Sequence, residues 1–220
     1  MKIGTDGVLL GAWCPVDNNP KNILDIGAGT GIIALMLAQR SNAAQIDAIE
    51  IEDNAYEECV ENFENSPWSD RLYCFHAGLD ELMDDPEDEY DIIVSNPPFY
   101  KDKNDSDDNV RALARSENSL PFELLIEAAD LLLSEIGIFS TIIPRKEEEN
   151  FINICKSFDL FPFEILRVKG TINSEEKRSL IAFKRIETDP EITTISIEIS
   201  RHLYTEEYKK IVRDFYLKME

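Results

Sequence analysis

The chain has 220 residues, room for one α/β domain or one domain with a small appendage, and its 43% hydrophobic content excludes global disorder. There is no membrane-length apolar run, no opening signal peptide, no CxxC and no metal-like Cys/His cluster, so a cytoplasmic protein without metal or membrane partner is expected, with Cys14, Cys59, Cys74 and Cys155 as reduced, mostly buried thiols. Its 22 Lys+Arg against 44 Asp+Glu give a formal charge of −22, which repels nucleic acid on average and demands a local basic patch of any RNA-binding reading.

Asn22 to Ile26 reads as a strand, followed by a helix over about Gly31 to Arg40. Gln45 to Glu50 is a second strand and Asn54 to Asn65 a second helix, with Asp53 as its expected cap. Leu72 to Phe75 and Tyr90 to Val94 are short apolar strands, and Met83 to Glu89 and Asp102 to Asp108 are acidic loops. A helix over Pro121 to Leu133, a strand over Ile136 to Ile143 and a helix over Lys146 to Phe158 follow. Phe163 to Val168 and Ser179 to Phe183 have no helix between them and predict an antiparallel closing hairpin. The tail, about 190–220, adds a strand over Ile192 to Ile199 and a helix capped by Thr205 and running to about Lys218. Strand–helix alternation implies an α/β fold, a mostly parallel sheet with helices on both faces, here read as one domain over 1–220.

Asn96-Pro97-Pro98-Phe99 ends the strand at Tyr90 to Val94, where open α/β sheets place their ligand crevices. Neither proline donates a backbone hydrogen bond, each fixes its own φ, and each biases the residue before it toward extended backbone. The product is a stiff turn of outward carbonyls, one amide and one aromatic ring, suited to a planar group bearing an NH2. A plain strand-ending turn is the alternative, since Asn-Pro is a common turn dipeptide.

Leu24-Asp25-Ile26-Gly27-Ala28-Gly29-Thr30-Gly31 joins the first strand to the first helix. Its glycines let backbone approach a ligand, and the following helix offers free N–H groups. The spacing is Gly-x-Gly-x-Gly, with Ile32 where a dinucleotide fingerprint needs glycine and no Gly-Lys-Ser/Thr of a P-loop. A turn without pyrophosphate duty suits a nucleoside carrying an amino acid, namely S-adenosyl-L-methionine, with Asp25 toward the ammonium. Glu50, at the next strand end, stands where an acid accepts from ribose hydroxyls in nucleotide folds. The alternative is a tight βα turn with an incidental Glu.

These residues carry a family signature. The chain resembles class I S-adenosylmethionine-dependent methyltransferases of the N6-adenine type, and more narrowly the bacterial family that methylates N6 of adenine 37 in valine tRNA. The likeness begins at Met1-Lys2-Ile3-Gly4-Thr5-Asp6-Gly7 and runs through Leu24 to Gly31, Ile46 to Glu50, Asn65 to Trp68, Asn96 to Phe99 and Asp214 to Leu217. It implies a Rossmann-like seven-stranded, mostly parallel sheet closed by the hairpin. It also implies a monomer acting on the anticodon stem-loop of tRNA. By resemblance, Asn96, Pro97, Pro98 and Phe99 form the acceptor clamp. The cofactor is met by Thr5, Asp6, Asp25, Gly27, Ala28, Gly29, Gly31, Glu50, Ile51, Gly78, Leu79 and Asn96. Two departures stand out. Family chains usually carry further residues before the opening motif, so a missing N-terminal piece is expected. Gly78 takes the place of an Asp that meets the cofactor's adenine, which shifts that duty to backbone at Gly78-Leu79 or to Asp80.

Tyr100 to Asn118 is expected to rim the pocket, with Lys101, Lys103, Arg111 and Arg115 as candidate phosphate contacts. Arg201, Lys209, Lys210, Arg213 and Lys218 in the tail, with Lys169, Lys177 and Arg178 near the hairpin, would form the required basic patch if they share a face. The clamp alone leaves open a protein-glutamine or guanine-N2 methyltransferase, and a methyltransferase fold used only for binding.

Overall fold

Runs of aliphatic residues that are buried on both sides become the central strands. In the strand over residues 22–26, Ile23 and Leu24 are both fully buried, yet they enter opposite cores. Ile92 and Ile93 divide in the same way. Burial on both faces is the reason these strands read as continuous apolar runs rather than alternating ones.

The computed structural model describes residues 4–84, 89–98 and 121–217. Its helices are α1 (Thr5–Trp13), α2 (Ile32–Arg40), α3 (Asp53–Glu64), α4 (Leu79–Asp84), α5 (Phe122–Leu132), α6 (Glu148–Lys156) and α7 (Glu206–Val212). Its strands are β1 (Asn22–Ile26), β2 (Gln45–Glu50), β3 (Leu72–His76), β4 (Tyr90–Ser95), β5 (Leu133–Pro144), β6 (Phe161–Thr171), β7 (Glu176–Lys184), β8 (Glu191–Ser200) and β9 (Leu203–Tyr204). One sheet takes them in the order β3-β2-β1-β4-β5-β7-β6-β8-β9. β1 to β5 are mutually parallel, and β7 closes antiparallel against β5 and β6. The residues of α1, α2, α3 and α7 pack one face, among them Leu9, Leu37, Phe63 and Val212. Those of α4, α5 and α6 pack the other, around Phe139, Phe151 and Phe183 with ring centroids 5.8–6.3 Å apart.

The expected seven strands are present, the closing pair is antiparallel as expected, and the sheet then continues. β8 runs parallel to β6 on its far side, and β9 folds back on β8. The tail is therefore part of the sheet. The tail helix is shorter than expected: Thr205 does cap it, its Oγ1 accepting from the Tyr208 N–H at 3.2 Å, but it ends at Val212. Glu52, not Asp53, caps α3, its side chain accepting from the Ala55 N–H at 2.8 Å. Helix α1 escaped the sequence reading because Gly7 and Gly11 lower its propensity and its apolar residues show no 3.6-residue stripe. Gly11 lets α1 and α2 approach closely, since a β-carbon there would come 2.8 Å from Met36 Sδ on α2, and that side chain would have to shift.

Two arginines serve the helix ends. Arg40 Nη1 donates to the Gly11 and Cys14 carbonyls at the C-terminal end of α1, at 2.7 and 2.8 Å. Arg71 reaches the Ala38, Ser41 and Ala43 carbonyls at the end of α2. A cation at a helix C-terminus is favoured by the dipole and by the orphan carbonyls there.

Candidate active site

Strands β1, β2 and β4 finish level with one another. Ile26 pairs with Ile49 on one side and Ser95 on the other, and the Ser95 hydroxyl donates to the Ile26 carbonyl at 2.9 Å. The residues that follow these three are Gly27, Glu50 and Asn96. The sheet thus delivers the glycine turn, the acid and the clamp to neighbouring points on its carboxyl edge.

Gly27, Gly29 and Gly31 all have positive φ, at 70°, 58° and 75°. A side chain in that region costs about 1–2 kcal/mol, which is why glycine recurs. The turn is pinned from below, because the Gly27 and Ala28 N–H groups both donate to the Ile49 carbonyl at 3.0 Å. Two of the glycines have different duties. A β-carbon on Gly27 would meet open space, so this residue faces the crevice. One on Gly31 would lie 2.5 Å from Phe63 Cε1 and 2.7 Å from Cys59 Sγ, so this residue lets α3 pack against the start of α2.

Asp25 is fully buried. Its Oδ2 accepts from the Ala34 N–H on α2 at 3.1 Å, while Oδ1 has no hydrogen-bond partner among the described residues. Burial pushes its carboxyl up to about 7; the Ala34 N–H pulls it down, and the nearby Glu50 charge raises it further. A carboxylate so placed invites a cation. Glu50 accepts from the Gly29 N–H at 2.7 Å and from the Ile51 and Glu52 N–H groups at 2.9 Å. These three donors occupy three of its roughly four acceptor positions.

Beside the clamp lies a cavity of about 430 Å³ lined by Gly4, Thr5, Asp6, Asn96, Pro97 and Pro98. Asn96 is half-buried, Pro97 buried and Pro98 exposed. The cavity joins two segments ninety residues apart in sequence, and α1 supplies its second wall. Asp6 accepts from Arg178 Nε at 2.9 Å. That residue stands on β7 opposite Pro144 of β5, so the closing strand anchors the wall. The sequence reading put Arg178 in a basic patch and Asp6 toward the cofactor; the structure joins them as an ion pair. A larger cavity of about 790 Å³ lies between α6, β6 and residues 187–192, off the carboxyl edge. Its buried Glu148 is committed to Arg167 Nη2 at 2.8 Å and to the Ser179 hydroxyl, and the clamp and glycine turn do not reach it.

Ile51, the residue after Glu50 at the end of β2, is 63% exposed. Gly78 and Leu79 follow β3 on the same edge, but the Gly78 N–H already donates to Glu81 Oε1 at 2.9 Å and the Leu79 side chain is core. Glu81 is an interaction the sequence did not signal. Phe99, Lys101, Lys103, Arg111, Arg115 and Lys218 lie outside the described residues. All four cysteines are free, and burial raises the Cys14 thiol to about 11, away from nucleophilic duty.

The arrangement suits S-adenosyl-L-methionine on three grounds. Asp25 Oδ1 lacks a partner, Gly27 leaves room over the turn, and the acids at the edge favour a ligand with cationic centres. Glu50 keeps about one acceptor position for a ribose hydroxyl.

Residues 8–121 match the family model for the methyltransferase small domain. A tRNA1(Val) (adenine(37)-N6)-methyltransferase from Flavobacterium johnsoniae is 63% identical over 220 residues, covering all of this chain and 94% of that protein. One of the same name from Bacteroides fragilis is 42% identical over 225 residues, covering all of this chain and 92% of that protein. Among solved structures, a "predicted O-methyltransferase" from Agrobacterium tumefaciens superposes with a TM-score of 0.71 at 18% identity, covering 95% of this chain and 96% of that one. A putative RNA methyltransferase from Pyrococcus horikoshii gives 0.58 at 16% identity, covering 82% of each chain. At such identities these structures speak to the fold alone.

Proposed function

Because the chain belongs to the methyltransferase small-domain family, and within it to the bacterial tRNA1(Val) (adenine(37)-N6)-methyltransferases, we propose that it methylates N6 of adenine 37 in the anticodon loop of valine tRNA. It does so as a single-domain, monomeric cytoplasmic enzyme. The observation that carries this reading is the juxtaposition of the Asn96-Pro97 turn, with its adjoining cavity, and the glycine turn on adjacent strand ends. S-adenosyl-L-methionine, when bound, supplies an electrophilic methyl group on a sulfonium.

The residues supply position. Asp25 holds the ammonium end and Glu50 the ribose. Gly27 and Gly29 keep the turn low enough for the cofactor to lie across it. The target adenine leaves its stack and enters the cavity. Its NH2 donates to the Asn96 side-chain oxygen and the Pro97 carbonyl. Pro97 and Pro98 have no N–H, so the backbone offers no donor at those two positions. Two acceptors in fixed positions draw the amino nitrogen toward tetrahedral geometry and hold its lone pair facing the cofactor site. Orientation of this kind provides most of the acceleration, since the donor is already activated. Phe99, next in sequence, stacks on the base.

Asn96→Ala tests the assignment. Methyl transfer to unmodified valine tRNA should fall at least about 10³-fold, beyond the loss of a single well-placed donor or acceptor. Cofactor affinity by calorimetry should stay within a few-fold. Near-native turnover in Asn96→Ala would sink the mechanism. Absence of N6-methyladenine at position 37 from tRNA of a deletion strain, restored by the gene, tests the substrate.

A further inference from the structure

A chain of charge −22 that handles RNA must present its few cations where the RNA lies. Most described arginines are committed elsewhere. Arg145, Arg167, Arg178 and Arg185 pair with acids, and Arg40 and Arg71 hold helix ends. Lys169, Lys177 and Arg201 form no ion pair among the described residues.

The sheet register brings these three to one edge. β7 runs antiparallel to β5, with Arg178 opposite Pro144, so the start of β7 lies at the carboxyl end of β5. β6 ends at that same edge, and β8, parallel to β6, ends beside it. Lys169 of β6 pairs with Ser196 of β8, and the Ile172 N–H donates to the Glu198 carbonyl at 3.2 Å. Arg201 and His202 then form the tight turn between β8 and β9, with His202 at φ 65°. The hairpin tip and this turn therefore form one ridge on the edge that carries Asn96. Ile172 and Leu203 stand on it about half exposed. The neighbouring acids are mostly engaged: Glu176 holds Arg145 and the Thr194 hydroxyl, and Glu198 accepts from the His202 N–H. Glu175 is exposed at the tip.

We infer that this ridge, through Lys169, Lys177 and Arg201, holds the phosphate backbone of the RNA whose base enters the Asn96 cavity. The inference rests on the RNA reading given above. Four strand spacings separate β4 from β8, or about 19 Å. That is the span of five or six stacked nucleotides at about 3.4 Å each. An RNA with its target base at Asn96 thus lays its flanking strand along the ridge. β8 and β9, beyond the seven strands of the parallel core and hairpin, exist on this view to lengthen the RNA-bearing edge.

The test uses full-length unmodified valine tRNA and the triple variant Lys169→Ala/Lys177→Ala/Arg201→Ala. Fluorescence anisotropy over 50–200 mM salt should show the variant binding 10- to 100-fold more weakly at the low end. The slope of log affinity against log salt should be shallower by about 2–3, at 0.7–0.9 per lost phosphate contact. KM for tRNA should rise while kcat changes less than twofold. Sinefungin affinity measures whether the variant is folded. A Lys169→Arg/Lys177→Arg variant should retain wild-type binding. An unchanged salt slope and KM in a folded triple variant would overturn the ridge assignment, even with wild-type protein active on tRNA. If wild-type protein neither binds nor methylates the tRNA, the substrate reading itself fails.

Discussion

Asp25→Asn isolates the most unusual electrostatic feature of the site. In the cofactor-free protein the buried carboxyl stays protonated up to about pH 7, whereas in the unfolded chain it ionises near its ordinary 3.8. The native state therefore binds more protons than the unfolded state between those limits, and stability falls as pH rises through them. At 1.36 kcal/mol per unit the full loss is about 4 kcal/mol, more than half of which falls between pH 5 and 8. Asparagine keeps the shape and the acceptor for Ala34 but cannot ionise. Urea denaturation of both proteins at pH 5, 6, 7 and 8 gives the stability of each. The gap between wild type and Asp25→Asn should shift by about 2–3 kcal/mol across the range, or several °C in Tm. The bound cofactor's ammonium reverses the penalty, so wild-type affinity for S-adenosyl-L-methionine should rise from pH 6 to 8 and that of Asp25→Asn should not. Stability curves that stay parallel within about 0.5 kcal/mol would refute the argument, because additive effects of that size are ordinary scatter.

The two outer glycines should separate by duty. Gly27→Ala should lose about 1–2 kcal/mol from backbone strain, and Gly31→Ala about 3–5 kcal/mol because the clash with Phe63 and Cys59 is added; urea midpoints in the reverse order would contradict the geometry. Arg178→Gln should slow methyl transfer several-fold at saturating cofactor, and a double-mutant cycle with Asp6→Asn should return a coupling of about 0.5–1 kcal/mol, additivity being the contrary result. Phe151→Ala, emptying the centre of the Phe122–Phe139–Phe183 cluster, should cost about 3–5 kcal/mol by chemical denaturation without altering cofactor affinity in the protein that remains folded.

The central strands were legible because burial on both faces leaves an unbroken aliphatic run. The edge residues Gly27, Glu50 and Asn96 were legible because each follows such a run directly. What the sequence hid depends on contacts between distant segments. Nothing near Asp6 signals Arg178, 172 residues away. Nothing in the period-two tail says that it pairs with β6 rather than β7. Capping failed at one position because Glu52 and Asp53 are both acidic, and only backbone geometry decides which of them flanks the helix. Helix α1 was hidden by its own burial: Gly7 to Leu10 are enclosed by α2, α7 and the sheet, so no polar stripe marks it.

The wall that α1 contributes to the acceptor cavity has a consequence for the order of synthesis. The glycine turn and Glu50 need only residues 22–50 and their neighbouring strands. Residues 5–13 are made long before two of their partners, Arg178 and α7, although α2 follows them closely. At 5–20 residues per second, the roughly 190 intervening residues take about 10–40 s. A nascent chain can therefore assemble its nucleoside-binding turn well before the wall of the acceptor cavity gains its Arg178 anchor.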